Sequence, residues 1–377
     1  MSEQKNELTH IIGTFLIQAE GAFLNGGGLA KGEYGNTTEP KTFIDFKDKV
    51  PYVSSQAWKR WLRNTFQEEN QDLPHAELKQ IGISGKGTTN KIGTEMDPVK
   101  FPEDDVFGYM KAREGQGKSA ASREENEDQD TEGEVEEEGE KKGKKEKVKS
   151  VIRSAPFAAS ILKSLRKSGQ LSIDKAYVHL QEGTPQPYNT EFYNTQLQGV
   201  FGLNYSRLGV FRNEGDRIEL DEKYVNYYLN NGKIKIIKEN SAGNYYEIVD
   251  NPRKDRAIAI LKSLAIMRGG AKQAQFATDV APKAIVIACL NCGNLIFNDI
   301  FEDNKDGPIF KLNTFKEIIE DYKDRIIGEV FIGIRDGYLS NEKEVKLLND
   351  HEIENTSIKI NVSSPIDAIN QIIKNLP

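Results

Sequence analysis

One short amphipathic helix, predicted between Ser54 and Phe66, restricts the fold of this chain more than any other feature. At about 100° per residue, its large apolar side chains and one threonine share one face, which can anchor the helix in a core. These residues are Trp58, Trp61, Leu62, Thr65 and Phe66. Basic side chains share another face, which the pattern leaves free to meet something negative. They are Lys59, Arg60 and Arg63.

The start of this helix is suited to an anion. Ser54 or Ser55 can cap the first turn, because a serine oxygen accepts a hydrogen bond from a free backbone N–H there. Ser54, Ser55 and Gln56 lie among unpaired N–H groups at the positive end of the helix dipole, where phosphate is stabilised. The alternative is an ordinary solvated surface, since helices with charged outer faces are common.

Charge is distributed unevenly along the 377 residues, whose net charge is −7. Residues 124–149 hold 12 acidic and 6 basic side chains, and their balance of −6 leaves −1 for everything else. The acidic total is therefore no argument against a nucleic-acid partner. No apolar run is long enough to span a membrane, and the first ten residues lack an apolar signal region, so we expect a cytoplasmic protein without a membrane partner. The two cysteines give no disulfide framework.

Hydrophobic periodicity predicts an α+β protein, with a sheet and helices on one of its faces. A ferredoxin-like or RRM-type sheet is one such arrangement. Predicted strands lie at Leu8–Phe23, 198–211, Ala284–Leu290 and Glu329–Ile334, with an extended hairpin at 170–198. Predicted helices lie at Phe157–Lys167, from Asn251 and Pro252 to Met267, at Thr314–Ile326 and from Pro365 onward.

Four other segments carry possible chemistry. Residues 114–149 are of low complexity, and we expect a disordered or loosely helical surface insertion. The loop Gly269–Gln273 (GGAKQ) has no bulk to keep a backbone away, and adds one cation and one amide. The carboxylates in FPEDD (101–105) could bind a divalent metal, although a helix N-terminal cluster is the favoured interpretation. Cys289 and Cys292 form C-x-x-C, half of a zinc pattern, but core thiols fit better because no partner half follows.

Several stretches, taken in order, resemble one known family. They are Pro40-Lys41-Thr42 followed by VPYVSSQAWKRWLR, then FPEDDVFGYM, SAPFAASILKSL, GLNYSRLGVF, and GGAKQAQFATDVAPK before an apolar strand. This ordered set, spread over roughly residues 8–290, is similar to the repeated backbone subunit of the CRISPR Cascade effector, in its type I-B (DevR-like) branch. The insertion and the C-terminal third add little to the resemblance.

The resemblance implies an RRM-like palm with an inserted finger domain and a β-hairpin thumb. The palm would take residues 1–66, 151–169 and 198–377, the finger insertion 67–150 and the thumb 170–197. Copies of such subunits stack head to tail along the CRISPR RNA in a helical filament, beside other Cascade subunits. Their thumbs interrupt the guide, so that target DNA pairs in short segments.

Carried over by motif, the resemblance also implies an RNA-binding set and no catalytic residue, metal or other cofactor. The set is Lys41, Ser54, Ser55, Gln56, Lys59, Arg60, Arg63, Gly269, Gly270, Lys272 and Gln273. A scaffold that does not read sequence must hold phosphates and leave base edges free for pairing, and these residue types suit that task. Few aromatic residues stand free for base stacking, which argues against a conventional RRM reader.

Two other functions remain open from the sequence. One is a metal-dependent ribonuclease on an RRM-like sheet, using carboxylates such as Asp97, Asp104 and Asp105, which would have to converge on one pocket. The other is a purely structural assembly protein whose basic helix faces an acidic neighbour, and which would assemble without RNA.

Overall fold

The computed structural model of the protein describes residues 7–30, 36–77, 79–83, 90–111, 150–178 and 186–377. Its helices are α1 (Ser55–Glu69), α2 (Pro102–Phe107), α3 (Glu222–Asn230), α4 (Arg253–Ala265), α5 (Gln273–Phe276), α6 (Leu312–Asp321), α7 (Glu342–Lys346) and α8 (Pro365–Lys374). Its strands are β1 (His10–Ala22), β2 (Gly26–Leu29), β3 (Thr37–Pro40), β4 (Thr42–Asp45), β5 (Asp48–Val53), β6 (Lys79–Ile83), β7 (Asn90–Gly93), β8 (Tyr109–Lys111), β9 (Val151–Arg153), β10 (Phe157–Ala159), β11 (Leu162–Ser164), β12 (Leu171–Val178), β13 (Gln186–Asn204), β14 (Val210–Glu214), β15 (Arg217–Ile218), β16 (Ile234–Asn240), β17 (Gly243–Ile248), β18 (Ala284–Leu290), β19 (Phe301–Glu302), β20 (Ile309–Phe310), β21 (Ile326–Ile334) and β22 (Ile360–Ser363). The charged run at 114–149 lies outside the described residues.

A large central sheet has β1 near its middle. Its strand order is β22-β21-β18-β1-β13-β11-β5-β4. In addition, β10, β12 and β3 pair with β13, and β2 pairs with β3. β1 runs antiparallel to both β13 and β18, with Ile12 opposite Gly202 on one side and Ala288 on the other. Most neighbouring pairs along this order are antiparallel, but β22 runs parallel to β21. The predicted strands at Leu8–Phe23 and Ala284–Leu290 are confirmed.

Both faces of this sheet are covered by other elements. Side chains alternate along β1, so successive residues pack against different layers. Ile11 and Phe15 join a hydrophobic cluster with α1, α4 and α8. Ile12 and Leu16 join a second cluster on the opposite face, which includes Phe315 of α6 and Val345 of α7. The expectation that helices cover only one face is therefore wrong. The C-terminal third supplies the second layer, so β1 and β18 are buried on both sides.

Trp58 fixes α1 to the sheet. The side chain is fully buried, and its ring meets Phe15 and Phe157 edge-on at centroid distances of 5.5 and 5.8 Å. Its indole N–H donates to the backbone oxygen of Ser160 at 2.6 Å. An aromatic residue with a polar handle can be buried at little cost only when that handle has a partner. The predicted apolar face of α1 is thus confirmed, with Leu62, Thr65 and Phe66 buried beside Trp58 and Trp61 half-buried.

The segment Phe157–Lys167, predicted to be helical, is extended instead. Phe157 pairs with Leu203 of β13, and Leu162 pairs with Val53 of β5. Both side chains are buried, while Ile161 between them is 39% exposed. Long-range pairing with β13 has overridden the helical spacing of the local sequence, since helix propensity is weak against tertiary context.

The long strand β13 also forms the expected hairpin arm. β12 pairs with its first half from Leu171–Tyr193 to Val178–Gln186, and residues 179–185 lie outside the described part. A second sheet of order β16-β17-β14-β15-β9-β8 lies on a smaller core around Phe211 and Tyr246. In the parts of the chain described, no helix is long and apolar enough to cross a membrane.

Replacing Trp58 with alanine should lower the free energy of unfolding by about 3–5 kcal/mol, because a fully buried indole is removed and a cavity remains. Urea denaturation followed by far-UV circular dichroism measures this difference. Leu347→Ala, at a side chain that is 74% exposed, is the control and should change stability by less than about 0.5 kcal/mol. Equal effects of the two changes would show that Trp58 does not anchor α1.

Candidate nucleic-acid interface

Leu24 and Asn25, which follow β1 directly, join three segments that are far apart in sequence. The Ala271 N–H of the GGAKQ loop donates to the Leu24 oxygen at 2.9 Å. Asn25 accepts from the Lys41 N–H through its backbone oxygen at 2.8 Å, and from the Ser54 N–H through Oδ1 at 3.0 Å. The three predicted RNA-binding segments therefore meet around one turn of chain.

The sequence did not identify Asn25 as a site residue. The one available signal was its position directly before three glycines, which predicts a loop but not a bridging side chain.

The first turn of α1 carries backbone N–H groups that a ligand can use. Ser54 is the N-cap, and its Oγ accepts from the Ala57 N–H at 3.4 Å. Within the described residues, the N–H groups of Ser55 and Gln56 have no hydrogen-bond acceptor. Such free donors carry the positive end of the helix dipole, so an anion placed here is stabilised. Ser54 itself acts by holding the turn, while Ser55 and Gln56 are open to a ligand.

The GGAKQ loop lies directly on α1. Gly269 has φ +151°, a conformation that L side chains rarely adopt, and a Cβ at this position would collide with the Trp61 ring. Next to it, the Arg268 N–H donates to Thr65 Oγ1 at 3.0 Å. Glycine at 269 thus permits the close approach of loop and helix.

Three cations on the segments that meet here stay uncommitted. Arg60 is exposed, and Lys41 and Lys59 are partly buried. In the described part of the chain, no side-chain hydrogen bond or ion pair engages any of these three. Burial lowers the pKa of the Lys59 ammonium, because desolvation disfavours its charge. A phosphate close to the Lys59 ammonium would offset this desolvation cost by stabilising the charged form.

Arg63 does not stand free, contrary to expectation. Its Nη2 lies 3.3 Å from Oδ1 of Asp104, and its side chain is only 20% exposed. Asp104 is fully buried on α2, and burial raises the pKa of its carboxyl while Arg63 opposes that shift. The basic face of α1 is thus divided, with Arg63 holding α2 and Arg60 facing solvent.

The two polar side chains of the GGAKQ loop are also engaged internally. Lys272 Nζ donates to Thr190 Oγ1 of β13 at 2.7 Å and lies 4.9 Å from the centre of the Phe23 ring. Gln273 Nε2 donates to the backbone oxygens of Gly269 and Thr278. Lys272 therefore ties the loop to the hairpin, and Gln273 closes the loop.

The carboxylates considered for a metal are bound by cationic and backbone donors. Asp105 accepts from Arg153, Arg256 and the Gly209 N–H. Asp97 accepts from the Tyr228 hydroxyl at 2.7 Å. In the described residues, no group of three or more His, Cys, Asp or Glu side chains is arranged to hold a metal ion. The favoured helix N-terminal interpretation of FPEDD is confirmed, since Glu103, Asp104 and Asp105 form the first turn of α2.

The two cysteines are free thiols. Cys289 is buried in β18, and burial raises its pKa to about 12, so it stays protonated and packs as a core residue. Cys292 is only partly buried.

Comparisons with known proteins bear on the fold. No family model and no curated protein matches the sequence. A chain of the solved "CRISPR RNA-guided surveillance complex, pre-nicking" is similar with a TM-score of 0.50 and 10% identity, over 97% of this chain and 100% of that one. A chain of a "CRISPR RNA-guided surveillance complex" has a TM-score of 0.46 and 12% identity, over 97% and 99%. The first similarity shows that this mixed α/β protein, with several sheets and helices, shares the fold of a chain from such a complex.

Gly269→Ala should lower the free energy of unfolding by about 1–3 kcal/mol, through backbone strain and the collision with Trp61. Combining it with Trp61→Ala should restore part of that stability, because the collision with the ring atoms disappears while the contact with the Trp61 Cβ remains. A double-mutant cycle in urea measures this coupling. Gly337→Ala, at φ +75° with open space around it, is the control and should cost about 1 kcal/mol. Strictly additive effects of the Gly269 and Trp61 changes would contradict the packing described.

Proposed function

We propose that this chain is an RNA-binding subunit that holds the phosphates of a single strand without reading its sequence. The observation that carries the proposal is that the segments meeting around Asn25 hold both free N–H groups and uncommitted cations. The N–H groups belong to Ser55 and Gln56, and the cations to Lys41, Lys59 and Arg60. Backbone donors, a helix N-terminus and basic side chains are the groups that contact phosphates, and they carry no sequence information.

The RNA is a CRISPR RNA in this proposal. The ordered motifs resemble the type I-B, DevR-like backbone subunit, and the shared fold with a chain of a CRISPR RNA-guided surveillance complex supports the same assignment. A guide must present its base edges to target DNA, so its carrier should grip the backbone alone. The partners are then CRISPR RNA, target DNA, other Cascade subunits and further copies of this chain in a helical filament.

The architecture of this family supplies roles for the elements. We assign the central sheet around β1 to an RRM-like palm, residues 67–150 to the fingers and the β12–β13 hairpin to the thumb. The Lys272–Thr190 hydrogen bond supports a fixed relation between the RNA-binding loop and the base of that thumb. Lys272, Gln273, Gly269, Gly270 and Ser54 then shape the site, and Arg63 secures the fingers through Asp104.

We propose binding rather than catalysis. The ribonuclease alternative gains no support from Asp97, Asp104 and Asp105, because arginine, tyrosine and backbone donors already occupy their oxygens. Two-metal cleavage needs carboxylates free to converge on one pocket.

Lys59→Gln combined with Arg60→Gln should weaken binding to single-stranded RNA and flatten its salt dependence. The slope of log K against log salt should become shallower by about 0.7 for each phosphate that the protein no longer neutralises. Fluorescence anisotropy with a labelled oligonucleotide over a range of salt concentrations measures both effects. Lys316→Gln combined with Lys343→Gln, at exposed lysines elsewhere, should leave the slope unchanged.

Arg63→Gln separates structure from binding. It should lower stability, because Asp104 keeps its burial without its counter-charge. Its salt slope should stay close to that of the original protein. A slope unaltered by the Lys59 and Arg60 changes would remove α1 from the RNA site.

A further inference from the structure

Two aromatic rings near the β4 edge of the central sheet belong to neither of its hydrophobic clusters. Phe43 of β4 and Tyr52 of β5 are both partly exposed, with ring centroids 5.9 Å apart and an interplanar angle of 63°. The Lys163 ammonium of β11 lies 5.5 Å from the centre of the Phe43 ring. In the described residues, Lys163 has no ion pair and the Tyr52 hydroxyl has no hydrogen-bond partner.

Strand register places these three side chains on one face. Lys163 is directly opposite Tyr52, and Phe43 is directly opposite Val50, two residues before Tyr52. Side chains alternate along a strand, so the neighbours Val53 and Leu162 point the other way, into the core beneath α1. Phe43, Tyr52 and Lys163 therefore form an aromatic patch on the face that α1 does not cover.

The aromatic patch lies close in sequence to the candidate phosphate site. Tyr52 precedes the N-cap Ser54 by two residues, so the patch and the free N–H groups of α1 lie at the same end of β5. A groove of mixed polar and apolar lining begins beside Lys163. Lysines and the carboxylates of Asp299, Glu302 and Asp303 both line it. The patch therefore lies between the start of α1 in sequence and this groove beside Lys163.

We propose that the aromatic patch is a stacking platform for a base of single-stranded RNA. This inference rests on the proposed function and adds to it a contact with base faces beside the phosphate contacts. Single-stranded nucleic-acid sites combine accessible aromatic rings with basic side chains. Stacking is tolerant of sequence, because every base has a π-face. It leaves base edges free. The surface of two rings and a lysine is small compared with the roughly 800 Å² that each partner buries in a typical protein interface. A single base therefore fits this patch better than a protein does.

The test compares two oligonucleotides of equal length on the full chain, a single-stranded RNA and a matched strand in which abasic sites replace the bases. Phe43→Leu combined with Tyr52→Leu should weaken binding of the RNA by about tenfold, with an unchanged salt slope, because stacking is not ionic. The same variant should bind the abasic strand as the original protein does. Tyr227→Leu, at an exposed tyrosine on α3, is the control and should change neither.

Tyr52→Trp keeps the protein testable if the double change disturbs folding, and it should bind RNA at least as tightly as the original. Equal weakening on both strands, or no weakening on RNA, would overturn the platform. Salt-dependent binding that is equally tight for the RNA and the abasic strand would leave the proposed function standing and overturn this inference alone. Absence of RNA binding by the original protein would overturn both. Reduced self-association with unchanged RNA affinity would overturn the platform and identify the patch as a protein contact instead.

Discussion

Burial of Trp58 is the interaction on which the candidate site depends. Its ring lies edge-on between Phe15 and Phe157, and its N–H is satisfied by Ser160, so α1 has one position on the sheet. That position sets where the first turn of the helix emerges beside Asn25. It also places Trp61 where Gly269 must pack. A functional surface made of backbone donors needs such rigidity, because donors that move are no longer preorganised.

Pairing of charges decides which cations remain available. Arg63, Arg153 and Arg256 are committed to carboxylates of α2, which attaches the segment after Asp97 to α1 and α4. Removing one partner of a buried pair leaves an uncompensated charge, so these pairs hold structure and are poorly suited to a ligand that comes and goes. Lys41, Lys59 and Arg60 remain outside this network. The chain therefore separates cations that build the protein from cations that can meet a phosphate.

Local patterns predicted much of the fold, and long-range interactions account for the errors. The capped helix at Ser54 and the apolar strand Ala284–Leu290 carry strong signals within one element, and both are confirmed. Phe157–Lys167 has helical spacing but is extended, because β13 offers it strand partners. The pairing of Arg63 with Asp104 and the bridging role of Asn25 join residues far apart in sequence, which no periodicity reveals. The proposed RNA contacts and the palm, finger and thumb division remain predictions.

Amide hydrogen exchange at the start of α1, measured with and without single-stranded RNA, tests the central claim most directly. A phosphate bound by the Ser55 and Gln56 N–H groups should slow exchange at those two amides, and the slowing should weaken as salt is raised. Exchange in α6, which packs on the opposite face of the sheet, should not change. Slowing confined to other regions, with Ser55 and Gln56 unaffected while RNA is bound, would contradict the account.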